Sequence, residues 1–142
     1  MLSLLTLVSC EQRNDIEILN QRIDKLVNII EEHKEQAIKN YLSEDFSVTN
    51  KFNKAQFLLF AQYHINRNKG IFVSVRNKII ILNENNADVT ADVTADVTAD
   101  VLLLGSNEWL PERGRMYSIA SRWKKESGEW VMSRLRWTTK PG

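Results

Sequence analysis

One change of period constrains this 142-residue chain more than anything else in it: apolar residues recur at helical spacing up to Gly70 and alternate like strands beyond it. Ile16, Leu19, Ile23, Leu26 and Ile30 recur every three or four residues, and Val27 and Ile29 widen the stripe. The polar run 31–35 interrupts this pattern, and Ala37, Ile38, Tyr41 and Leu42 form a second stripe. Two helices, or one bent helix, are expected there. Phe46 to Thr49 reads as a short strand. Asn53 can cap a third helix, with Phe57, Phe60, Ala61 and His64 on one face and Gly70 at its end. After Gly70, strand patterns run from Ile71 to Leu82, Ala87 to Leu104, Arg115 to Lys124 and Trp130 to Thr138. Asn83 to Asn86 and Ser127-Gly128 supply turns between them. Helices first and strands after is the α+β order.

Within the strand half, Ala-Asp-Val-Thr occurs three times from residue 87 and is followed by Ala99-Asp100-Val101. A period of four is even, so on a strand every Ala and Val lies on one face and every Asp and Thr on the other. β-branched residues make up half of each copy and disfavour a helix. A strand through all fifteen residues would be ~50 Å long, so it must bulge, bend or project past its partners. Same-face Asp residues would be ~13 Å apart, too far to share one cation; they read as a wet face that deters edge aggregation.

Nineteen Lys and Arg against eighteen Asp and Glu give a net charge of +1, which excludes a globally basic nucleic-acid binder. A single cysteine excludes a disulfide framework within the chain and a thiolate-rich zinc site. Two His and scattered acids have no metal-ligand spacing, and nothing calls for a cofactor. No apolar run reaches the ~18 residues of a membrane span. The cysteine itself is informative. Nine uncharged, mostly apolar residues lead to Cys10, and polar residues begin at Glu11. Leu7-Val8-Ser9-Cys10 resembles a bacterial lipobox, although no Lys or Arg precedes it. That resemblance implies a signal peptide over residues 1–9, acylation of Cys10, a short tether over 10–14 and a domain over 15–139. It implies a lipid-anchored, periplasm-facing envelope protein, and Glu11 resembles the pattern of outer-membrane rather than inner-membrane retention. The alternative is a buried cysteine in an ordinary first helix.

Three stretches carry a further resemblance: Asn40 to Phe46 closing the second helix, the turn from Asn83 to Ala87, and Ser121 to Met132 with Trp137 beyond. Together they resemble the nuclear-transport-factor-2-like (SnoaL-like) superfamily. The resemblance implies a cone-shaped domain with three N-terminal helices packed on a strongly curved, mainly antiparallel sheet, a pocket at the open end, and frequent dimerisation through the convex face. It does not fix one function, since the fold hosts isomerases, cyclases, dehydratases, hydrolases and non-enzymatic binders.

Several side chains are candidates for chemistry. His64, on the apolar face of the third helix, is either a general base or a core residue with one hydrogen bond. Tyr41 and Asp45 match the Tyr and Asp that related isomerases and cyclases use beside a carbonyl; Asp45 is equally what a turn needs. Pro111 to the C-terminus holds eight basic and three acidic residues. On its last strand Trp130, Met132, Arg134 and Arg136 alternate onto one face, and Val131, Ser133, Leu135 and Trp137 onto the other. In the superfamily the first of these faces tends to be concave. Arg134 and Arg136, with Trp130 and Trp123, would then hold a small anionic or amphipathic ligand. Val131, Leu135 and Trp137 would form a convex patch for a homodimer. The opposite assignment puts Leu135 and Trp137 inside and both Arg in water. Trp with Arg also suits single-stranded nucleic acid, but an envelope protein does not meet it. The functional expectation is thus a ligand-binding cone. A proton-transfer enzyme or a dimerising interaction module is the alternative.

Overall fold

The computed structural model describes residues 2–68, 70–83, 93–105 and 115–140, with side chains from Asn14 onward. Its first element is a long helix, α1 (Leu2–Glu31), whose stripe from Ile16 to Ile30 faces the sheet and buries Leu19 completely. The polar run after it breaks the helix at His33, which adopts φ 60°. The second stripe then forms a 3-10 helix (Glu35–Tyr41) rather than an α-helix. Seven residues between a left-handed break and a strand leave little room for α-helical turns, and the tighter helix suits short pieces. It still buries Ile38 and Tyr41.

Strand β1 (Leu42–Val48) follows directly, and the two-residue β2 (Phe52–Asn53) folds back on it. Asn53 begins α2 (Lys54–Arg67) with a reciprocal cap: its side chain accepts from the Gln56 N–H, and the Gln56 side chain accepts from the Asn53 N–H, both at 2.9 Å. Strands β3 (Phe72–Asn83), β4 (Thr94–Leu104), β5 (Arg115–Glu126) and β6 (Glu129–Thr139) complete the chain. Ser127 and Gly128 both have positive φ (51° and 82°), the tight turn that a two-residue hairpin between twisted strands requires. The repeat enters the described structure at Val93; its earlier copies, the turn residues 84–86 and the loop 106–114 lie outside the described residues.

The sheet order is β2-β1-β6-β5-β4-β3, antiparallel except where β1 runs parallel to β6. Ala95, Val97 and Val101 of β4 are buried, while Asp96 and Asp100 point outward. Asp96 is held between Asn83 of β3 and Arg122 of β5 (2.9 Å each), and Asp100 between Asn77 and Lys140 (2.9 Å each). The register of the sheet shifts between β1 and β6, across Leu42 to Ser47, and at two single-residue bulges. One lies in β3 between Arg76 and Ile79, where Asn77 takes φ 54°; the other lies in β6 at Ser133, the extra residue between the pairs Arg122–Arg134 and Trp123–Met132. Bulges bend and twist a strand, and these help curl the sheet around the helices. Arg22 fastens α1 to the layers beneath. It donates to the carbonyls of Trp130 and Asn40 (3.1 Å each), with its guanidinium 4.0 Å from the Tyr41 ring centre. Glu31 accepts from the Val73 N–H at 3.0 Å and ties the edge strand to the same helix.

Candidate functional site: an apolar cone cavity

The concave face of the sheet does not fill completely. Between it and the two α-helices lies a cavity of about 290 Å³, close to the lower end of the range for small-molecule pockets. Helix α1 contributes Ile23, Leu26 and Ile30; α2 contributes Phe57, Phe60, Ala61, His64 and Ile65. The strands add the inward residues of β3 to β6, among them Val73, Val97, Ile119, Trp123 and Trp137. The lining is apolar almost throughout. Its polar groups among the described residues are His64, Lys78, Ser121 and the polar ends of Tyr117 and Trp123. The Trp123 indole N–H is used internally, donating to Ser121 Oγ at 3.0 Å.

His64 belongs to an aromatic cluster. Its ring meets Phe60 edge-on with centroids 4.5 Å apart, and Phe60 stacks on Trp137 at 6.0 Å. Burial, and secondarily the Arg67 guanidinium, lower its pKa below the ordinary imidazole value and so favour the neutral ring.

The candidates from the sequence are therefore separated. His64 and Trp123 line the cavity. Trp130 is fully buried and lies outside the lining. Tyr41 is buried under Arg22, also outside it. Asp45 is on the outer side of β1, with its side chain 71% exposed. It accepts from Ser43 Oγ at 2.6 Å and pairs with Lys124 at 3.1 Å, and these partners lower its pKa, the Ser43 bond most. Cys10 lies among the residues whose side chains are not described.

Arg134 and Arg136 are exposed and face away from the cavity, whereas Leu135 and Trp137 line it. The bulge at Ser133 is the reason. It breaks the alternation, so Trp130 and Met132 turn inward on one side of it, and Leu135 and Trp137 turn inward on the other. The convex apolar patch expected from Val131, Leu135 and Trp137 loses two of its three members to the interior for the same reason.

Lys78 is the residue the sequence reading passed over. Without a bulge, residues 73, 75 and 77 would face inward and Lys78 would face water. Asn77 in the left-handed region shifts the register, so Lys78 lines the cavity while Asn77 turns out to Asp100. The signal was present: Arg76-Asn77-Lys78 interrupts a Val/Ile strand, and Asn is among the residues that tolerate φ > 0. Among the described residues, no group of three His, Cys, Asp or Glu side chains could hold a metal ion, and no helix is long and apolar enough to cross a membrane.

No protein-family profile matches the chain, and no curated protein matches it in sequence. Solved structures do match in shape. Bd1075 of Bdellovibrio bacteriovorus superposes with a TM-score of 0.72 at 12% identity, covering 92% of this chain but 42% of that one. This chain thus spans less than half of Bd1075. An NTF2-like protein with a cystatin-like fold from Novosphingobium aromaticivorans gives 0.70 at 12% identity, over 97% of this chain and 91% of that one. The hexachlorocyclohexane dehydrochlorinase LinA-type3 from Novosphingobium barchaimii gives 0.66 at 15% identity, over 94% and 91%. The domain therefore has the nuclear-transport-factor-2-like, cystatin-like cone fold, an α+β architecture whose structural neighbours include both enzymes and proteins of unknown function.

Proposed function

We propose that this chain is a binding protein that holds a small apolar or amphipathic molecule in its cone. One observation carries the reading: a cavity lies between the helices and the sheet, and its lining is apolar with a few polar groups. A cavity of this kind left without an occupant would forfeit the dispersion contacts of its walls. The test is titration with N-phenylnaphthylamine, a neutral probe that fluoresces in apolar surroundings. The wild type should bind it. Ala99→Phe, which fills the concave face of β4, should weaken binding at least about tenfold, the equivalent of ~1.4 kcal/mol. Equal binding by the filled variant would place the probe elsewhere and remove the reading.

A second reading is proton-transfer catalysis. It rests on His64, which lines the cavity and whose burial favours the neutral ring, the form a general base needs. Loss of turnover in His64→Gln at unchanged melting temperature would favour it over simple binding.

The proposal extends to location. Leu7-Val8-Ser9-Cys10 and the polar onset at Glu11 support a lipid on Cys10, with the domain facing the periplasm from the outer membrane. A homodimer through the convex face remains part of the reading. Its apolar contacts would come from Ile79 and Ile81 of β3, each 57% exposed.

A further inference from the structure

We propose that the cone's occupant is a hydrocarbon carboxylate whose head group is held by the Lys78 ammonium. This rests on the binding reading above and names the ligand class for the same cavity. Three observations meet here. First, the cavity wall is hydrocarbon over most of its area, which suits an aliphatic body and gives polar groups along its length no partners. Second, among the described residues that wall contains one Lys or Arg and no Asp or Glu, so its fixed charge is a single positive one at Lys78. Third, that ammonium is not committed elsewhere at short range. Its ion-pair partner, Asp24 on α1, is 4.0 Å away and has a side chain 74% exposed, whereas the Lys78 side chain is 24% exposed. Asp24 is a solvated carboxylate outside the cavity lining, and a ligand carboxylate beside Lys78 would replace a long contact with a short, charge-assisted one.

The placement of Lys78 depends on the β3 bulge, a local departure that a regular strand would not need. Asn77 in the left-handed region turns a lysine, a residue seldom buried without a partner, toward an apolar chamber. Two titratable rings also lie in the wall: Tyr117, a phenol that never carries positive charge, and His64, whose burial favours the neutral form and whose ring belongs to an aromatic cluster. The geometry thus separates two roles: the aromatic and aliphatic wall takes the chain, and the edge strand takes the head.

The experiment displaces N-phenylnaphthylamine from the full-length protein with decanoate, decanol and decyltrimethylammonium near neutral pH. The two ionic probes are kept below their critical micelle concentrations and decanol below its solubility limit. The readout is the ratio of decanoate to decanol affinity, compared between variants so that the hydrophobicity of the two probes cancels. That ratio should fall about tenfold in Lys78→Met, the scale of a lost hydrogen bond to a charged group at a partly wet site. Decanol displacement should stay within about twofold, and decyltrimethylammonium should displace poorly from the wild type. Asp24→Asn, which removes the competing carboxylate, should raise the ratio. Lys78→Gln must reproduce the fall, with circular dichroism and melting curves confirming that the variants fold. If the ratio is the same in wild type and in both Lys78 variants, the head-group assignment is overturned while the cavity reading stands. If neither decanoate nor decanol displaces the neutral probe, the binding reading falls and takes this proposal with it.

Discussion

His64 gives the molecule a pH dependence of definite sign. Burial and Arg67 place its folded-state pKa below the unfolded value of 6.5. The fold therefore favours the neutral ring, and that stabilisation is present above the unfolded pKa and lost as pH falls through the folded one. Melting temperatures taken from mildly alkaline to mildly acidic pH should drop more steeply for the wild type than for His64→Gln. Outward carboxylates such as Asp45, Asp96 and Asp100, whose pKa values are lowered by their partners, titrate alike in both proteins and cancel in the difference. Parallel curves would mean that His64 is not desolvated. The residue scale also shows what a sequence reveals about a site. His64 was visible because helical spacing placed it with Phe57 and Phe60. Lys78 was not, because its direction depends on one backbone angle at Asn77 that no periodicity announces.

At the scale of elements, the two bulges make an unusual claim about deletions. A bulged residue is an extra in its strand, so removing it restores regular pairing without turning its neighbours over. Deleting Ser133 should leave Met132 and Leu135 inward and cost about 1–3 kcal/mol. Deleting Ala120 from the bulge-free centre of β5 should turn over one half of that strand, moving Ile119 or Trp123 to the wrong face. That loss should exceed about 4 kcal/mol and leave little cooperative melting. Urea denaturation of both deletions checks this, and equal stability would show that β6 is regular. The helices and strands were legible from their periods, the α2 cap from Asn53, and the last turn from Ser127-Gly128. The 3-10 character of residues 35–41 and the switch of face along β6 were not. Both arise from packing: a short segment confined between a helix end and a strand, and a sheet that must bend.

For the whole molecule, the proposed function divides the labour: the cone would hold a ligand and the N-terminal segment would fix an address. Incorporation of radiolabelled palmitate into the protein expressed in a Gram-negative host should be strong for the wild type and absent for Cys10→Ser, with the variant released from the membrane fraction. Equal labelling of the two would remove the anchor from the reading. The cone itself was legible from the order of helices and strands, whereas its internal cavity was not, since a stripe of Ile, Phe and Trp has the same pattern whether it closes on itself or stops short. The repeat that enters the sheet as β4 has one more consequence. Removing any whole Ala-Asp-Val-Thr copy yields the same shortened sequence, so a gene that loses or gains a copy by polymerase slippage presents an unchanged strand to β3 and β5. Only the connection before it changes length. Alleles differing by whole copies would therefore encode the same chamber, and variation in this tract would be silent in ligand affinity.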